Sequence, residues 1–204
     1  MNEGSFSRLA VLISGSGTNL QAILDACGQG LNAKDPILDA RVVVVFSNQP
    51  DAFGLTRAAA AGVPAVTSPK TREGDRTVYD AQLAAQVAGY HPDWIILAGW
   101  MRLLCGAFLS RFPGRVINLH PALPGAFPGT HSIQRAYEAC QRGEIDKTGV
   151  TIHFVPDEGV DTGPVLAVEE VPVNSQDSLP ALEERIHKVE HRLLITVLKQ
   201  LTTQ

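Results

Sequence analysis

Leu9-Ala-Val-Leu-Ile-Ser14-Gly15-Ser16-Gly17-Thr18-Asn19 is the stretch whose reading decides the fold. Leu9–Ser14 reads as a strand, Gly15 to Thr18 as a tight turn, and the chain from Asn19 to about Cys27 as a helix. The unit repeats downstream. Arg41–Ser47, with four consecutive valines, reads as a strand buried on both faces, and Phe53–Ala61 as a helix ended by Gly62 and Pro64. Ala65–Ser68 is a short strand. Asp75 is placed to cap a helix from Arg76 to Val87, with Tyr79, Leu83 and Val87 on one stripe. Trp94–Ala98 is another continuous apolar strand, and Arg115–His120 a further one closed by Pro121. Strands alternating with helices predict a parallel sheet covered on both sides.

Beyond His120 the order changes. His131–Cys140 reads as a helix, Gly149–Val155 and Val165–Val173 as strands joined by a glycine-containing loop, which predicts an antiparallel addition to the sheet. A long helix from about Ser178 to Leu201 closes the chain, with an apolar stripe running from Leu179 through Leu182, Ile186, Val189, Leu193, Leu194 and Val197 to Leu201. Gly28 to Pro36 reads as a loop within a domain.

The chain has 204 residues, enough for one good-sized domain, and 45% hydrophobic with 19% charged residues is ordinary for a globular protein. Its net charge of −4 argues against nucleic acid or an anionic membrane surface as partner. No apolar run approaches a membrane span, and the first residues lack the pattern of a signal peptide. Cys27, Cys105 and Cys140 are too few and too scattered for a disulfide framework or a zinc site, so free thiols and a cytoplasmic setting are expected.

Three segments should meet at the carboxyl edge of such a sheet, where ligands of open α/β folds bind: the Gly15 loop, Gly99-Trp100-Met101-Arg102, and the end of the strand carrying Asn118 and His120. Residues two apart on a strand share a face. Asn118 and His120 therefore project together, an amide donor beside an imidazole, a pair suited to an oxyanion and a mobile proton. Asp161 is the carboxylate available to orient or charge that imidazole. Taken alone, the pair reads more readily as a turn cap and a satisfied surface histidine; the rest of the chain reverses that. The Gly15–Leu20 loop lacks the third glycine of a dinucleotide fingerprint and the Lys-Ser/Thr of a Walker loop, which favours a single phosphate, with Thr18 and Asn19 as side-chain donors. The alternative is a tight turn in which Thr18 or Asn19 caps the helix. Glu190 falls inside the apolar stripe of the last helix, where an acid needs a partner. It either pairs with a basic side chain or binds a substrate hydroxyl or amine. His131 lies near the site, His153 is as much a core histidine as a functional one, and His91, His187 and His191 read as ordinary surface or helix residues.

Together, Val11–Gln21, Phe46-Ser-Asn48, Asp51–Gly54, Leu97–Arg102, Asn118-Leu-His-Pro121, Val150–Phe154 and Asp161-Thr-Gly-Pro164 resemble the successive motifs of the folate-dependent formyltransferases, in particular those acting on glycinamide ribonucleotide. The resemblance covers nearly the whole chain. It implies a doubly wound, mainly parallel, Rossmann-like α/β sheet with an antiparallel C-terminal addition, in one domain over residues 1–204. The half to about residue 115 would hold the nucleotide and the half from about 116 the folate and the chemistry. It implies 10-formyltetrahydrofolate as co-substrate, glycinamide ribonucleotide as acceptor, and no metal; the oligomeric state, a homodimer included, stays open. Asn118, His120 and Asp161 would be the catalytic trio; Gly17, Thr18 and Asn19 would hold the phosphate, and Glu190 the ribose. Arg102, Leu103 and Leu104, with Met101 before them and Val155 in the loop to Asp161, would hold the pteridine, and Arg76 would meet the glutamate tail. Two departures stand out. Pro121-Ala-Leu-Pro-Gly125 replaces the family's Ser-Leu-Leu-Pro pattern after His-Pro, and the Asp157–Asp161 loop is one residue longer.

Other chemistries fit less well. A formyltetrahydrofolate hydrolase would share the trio but carries an N-terminal regulatory domain, and a first strand within about ten residues of Met1 leaves no room for one. A transferase acting on methionyl-tRNA carries a C-terminal domain that is not expected here. His120, His131, His153 and Asp161 match no familiar zinc spacing. Cys105 as a nucleophile lacks a defined partner, and a non-catalytic phosphate sensor leaves the trio unexplained.

Overall fold

The residues from Leu9 to Ile13 are each fully buried, and they divide between two cores: Leu9, Val11 and Ile13 on one side of the sheet, Ala10 and Leu12 on the other. That is why the strand is apolar throughout instead of alternating. The computed structural model describes residues 6–30, 35–69 and 75–203. In chain order the elements are β1 (Ser7–Ile13), α1 (Thr18–Ala26), β2 (Ala40–Ser47), α2 (Phe53–Ala60), β3 (Ala65–Thr67), α3 (Arg76–Ala88) and β4 (Trp94–Leu97). There follow α4 (Gly106–Leu109), β5 (Val116–His120), α5 (Ser132–Gln141), β6 (Lys147–Phe154), β7 (Val165–Pro172) and α6 (Leu179–Thr202).

The seven strands form one sheet in the order β3-β2-β1-β4-β5-β6-β7. β1 to β5 pair in parallel, whereas β6 and β7 are antiparallel. The expected architecture is therefore present, antiparallel addition included. From β1 the chain first winds outward through β2 and β3, then returns to place β4 on the other side of β1. The strand ends at β1 and β4 thus form a topological switch point, where a crevice opens.

Each helix sits where its sequence sends it. The Asp75 side chain accepts from Thr77 N–H at 2.7 Å and caps α3, burying Tyr79, Leu83 and Val87 as the stripe predicted. Ser178 caps α6 in the same way, with Pro180 in the first turn. Along α6, Leu182, Ile186, Leu194 and Val197 are buried, while Leu179 and Leu201, at the ends of the stripe, are only partly covered. This helix packs on α1, α5, β6 and β7. The opposite face of the sheet is covered by α3 and α4, whose Leu83, Val87, Phe108 and Leu109 join the second core.

α4 was not legible in the sequence because four residues carry no periodicity. Its start is fixed by a tertiary contact: buried Asp80 accepts from the Cys105 N–H at 2.6 Å. The expected loop from Gly28 to Pro36 carries no helix or strand where it is described; residues 31–34 lie outside the described residues. Among the described residues no helix is long and apolar enough to cross a membrane.

Candidate active site

A cleft of about 660 Å³ opens at the switch point, within the size range of small-molecule sites. It is lined by the Gly15 loop, the Gly99–Leu104 segment, the end of β5, the start of α5, the Val155–Asp161 loop and the cleft-facing side of α6. The three segments expected to converge do converge. Ser14 ties two of them together: its hydroxyl donates to Asn48 Oδ1 at 2.6 Å and accepts from Met101 N–H at 2.8 Å.

Asp161 is the hub of the chemistry-bearing cluster. Its Oδ1 accepts from Asn118 Nδ2 at 3.0 Å, and its Oδ2 accepts from Gly129 N–H at 2.8 Å and lies 3.4 Å from His120 Nδ1. The backbone at Asp161 is left-handed, φ 54°, a conformation aspartate tolerates better than most residues and one that aims the carboxylate back at β5. Burial works to raise this carboxyl. Contact with His153, the Gly129 N–H and the nearby His120 imidazole outweigh it, so Asp161 is held below the ordinary aspartate value. His120 is buried at 5% exposure, with Nε2 3.4 Å from the Ala126 carbonyl, so its Nδ1 edge is the one turned to Asp161.

His153, left open between a core and a functional histidine, is buried on β6 and in contact with this cluster. Its Nδ1 donates to the Phe154 carbonyl at 2.8 Å. Nε2 is then left to accept from Asn118 Nδ2 at 3.2 Å or, on a doubly protonated ring, to face Asp161 Oδ1 at 3.6 Å. The pairing of β5 with β6 sets His153 directly opposite Asn118, a register that no local pattern announces. Both Asn118 N–H groups are thus directed within the cluster, and an oxygen entering it would have to share one of them.

The departing residue after His-Pro, Ala122, is fully buried and pinned at both peptide groups. Its N–H donates to the His120 carbonyl at 2.9 Å, and its carbonyl accepts from Thr151 Oγ1 at 2.7 Å. The altered loop is therefore anchored on β5 and β6.

At the other end of the cleft, Gly17 caps α1 in a left-handed conformation, φ 69°, and no side chain caps the helix. The capping role considered for Thr18 or Asn19 is not taken up, and the first-turn N–H groups are left without side-chain acceptors. A Cβ at Gly17 would come within 2.7 Å of Gly54 Cα, so this turn demands glycine twice over. Arg57 braces the loop from outside, donating to the Ser16 carbonyl at 2.9 Å and to Gln21 at 3.1 Å. Asn19 differs from expectation as a side-chain phosphate donor: it is buried, and its Nδ2 donates to Glu190 Oε2 at 3.3 Å.

Glu190 is 4% exposed and found in the cleft wall. Its main partner is His187, whose Nδ1 donates to the same Oε2 at 2.7 Å. His187, expected as an ordinary surface or helix residue, is a half-exposed helix residue whose ring is also engaged with the buried acid. The i, i+3 spacing of His187 and Glu190 was a usable signal for it.

Met101, Arg102, Leu103, Leu104 and Val155 all line the cleft, and Met101 and Leu103 are exposed at 62% and 48%. Arg76 does not line it. Its guanidinium instead lies 3.2 Å from Glu158, which does, and 3.9 Å from Asp80. Cys105 is buried outside the cleft lining, and burial and Asp80 push its thiol up, an environment that disfavours the thiolate. Among the described residues no group of three His, Cys, Asp or Glu side chains is arranged to hold a metal ion.

Known proteins resemble this chain over most of its length. A family model described as formyl transferase matches residues 7–198. The chain is similar to a phosphoribosylglycinamide formyltransferase of Schizosaccharomyces pombe, 45% identical over 96% of this chain and 97% of that one. It is similar to another of Escherichia coli K12, 41% identical over 91% and 82%. The crystal structure of glycinamide ribonucleotide transformylase 1 from Symbiobacterium toebii superposes with a TM-score of 0.87 at 42% identity, covering 98% of this chain and 89% of that one. The match over nearly every residue of the fold and the cleft has one reading: the chain belongs to the formyl transferase family.

Proposed function

We propose that this protein transfers the formyl group of 10-formyltetrahydrofolate to the amine of glycinamide ribonucleotide, giving formylglycinamide ribonucleotide and tetrahydrofolate in purine biosynthesis. The observation that carries this reading is a single cleft that joins an uncapped helix N-terminus at Gly17 to the Asn118–His120–Asp161 cluster. An anion at one end and an acyl transfer at the other is the demand such a reaction makes.

The amine nitrogen attacks the formyl carbon, and a tetrahedral oxyanion forms. His120 and Asn118 donate to that oxygen, while Asp161, ionised at neutral pH, holds both donors in place. The bond from the formyl carbon to the folate nitrogen then breaks. The proton lost by the amine ends on that nitrogen, with Asp161 as its relay. The step balances without a metal. Gly17, Thr18 and the Asn19 backbone receive the phosphate, Glu190 the ribose, and Met101–Leu104 with Val155 the pteridine. Arg76 reaches the glutamate tail only if it leaves Glu158. The chain is read as one domain in which each substrate touches residues from both halves.

An absorbance assay with 10-formyltetrahydrofolate tests this, run with and without glycinamide ribonucleotide. Folate turnover only with the ribonucleotide is expected. Turnover with water alone would mean a hydrolase, and none in either case a binding protein.

A further inference from the structure

The Glu190 carboxylate is unevenly used. Both protein donors, His187 Nδ1 at 2.7 Å and Asn19 Nδ2 at 3.3 Å, converge on Oε2. Oε1 receives no hydrogen bond from the described residues, although the carboxylate is only 5% exposed and forms part of the cleft wall. A carboxylate can only accept, so the His187 ring carries its proton on Nδ1. His187 also lines the cleft, with its side chain 44% exposed.

We propose that His187 is a positioning residue: by clamping Oε2 it fixes the Glu190 carboxylate with Oε1 presented to the vicinal hydroxyls of the ribonucleotide's sugar. The inference rests on the function proposed above and adds to it the group that makes Glu190 usable. With only the longer Asn19 contact to hold it, the carboxylate is free to rotate away from the cleft, which removes the acceptor that a diol needs. An imidazole three residues earlier on the same helix supplies a charge-assisted donor on the protein side of the group. Consistent with this, the Glu190 hydrogen bond holds the His187 imidazole above the ordinary histidine value despite partial burial. Glu183 adds a weaker attraction in the same direction.

The test measures kcat and KM for both substrates in the full-length chain and in His187→Ala, using glycinamide ribonucleotide and its analogue lacking the ring hydroxyls. His187→Ala should raise KM for the ribonucleotide about tenfold, the effect of losing one charge-assisted hydrogen bond. It should leave kcat and the folate KM within about twofold, and have no further effect on the analogue. His187→Asn, whose amide nitrogen falls near the place of Nδ1, should recover most of the loss. An unchanged KM in His187→Ala, an equal effect on ribonucleotide and analogue, or a loss confined to kcat overturns the proposal. Circular dichroism melts of both variants separate these outcomes from misfolding. If the wild-type chain fails to turn over glycinamide ribonucleotide, the function reading falls and takes this inference with it; turnover with an indifferent His187→Ala removes this inference alone.

Discussion

Asp161 accepts on both oxygens, from the Asn118 side-chain amide and from the Gly129 N–H, a backbone donor that cannot reverse. An asparagine at this place has one oxygen for two donors, so keeping the Gly129 bond turns its NH2 toward Asn118 and forces that amide to flip its own donor end away. Asp161→Asn should therefore lower kcat on the order of 100-fold or more, because it loses the group that orients the donors and relays the proton, as should His120→Ala, which removes a donor from the oxyanion. Steady-state rates with saturating folate check this, and near-normal turnover in either variant would take the trio out of the mechanism. The sequence pointed to Asn118 and His120 through the two-residue period of a strand. It could not show His153, because the antiparallel register of β5 on β6 sets that neighbour 35 residues away.

At the level of elements, the turn from β1 into α1 is as constrained as a core. Gly17 combines a left-handed backbone with a 2.7 Å approach to Gly54 Cα for any added Cβ. Gly17→Ala should cost about 1–2 kcal/mol from the backbone alone, with more from the displaced α2. Its KM for glycinamide ribonucleotide should rise more than its KM for folate. Thermal melts and paired KM measurements check both parts. On α6, fully buried Leu194 packs in the larger core. Leu194→Ala should cost about 2–5 kcal/mol, read from the denaturant midpoint. Because the same helix carries Glu190, an increase in ribonucleotide KM should accompany that loss.

For the whole molecule, acid is the weak side. The Arg185 guanidinium and the Asn174 N–H beside Asp177 hold its carboxyl down at about 2, against an ordinary value of 3.8. Asp161 is also depressed. A depressed folded-state pKa means stability present above the ordinary aspartate value and lost as pH falls through the depressed one. Unfolding midpoints should therefore be steady near pH 6 and drop between about pH 4 and 2, and Asp177→Asn should flatten part of that drop. The three cysteines are buried, and burial pushes the Cys27 thiol up to about 12. A thiol reagent should label the native chain slowly and all three sites on unfolding. The sequence by itself determined the alternation of strand and helix, the buried valine strand, the cap at Asp75, and the glycine turn. Each of those follows from hydrophobic period or backbone restriction within a few residues. Only the tertiary structure decided the partners: Asn19 on Glu190, His153 on Asn118, Glu158 on Arg76 and Asp80 at the start of α4. Those contacts join segments from different strands and helices, and a hydrogen bond between distant side chains depends on where the sheet carries them.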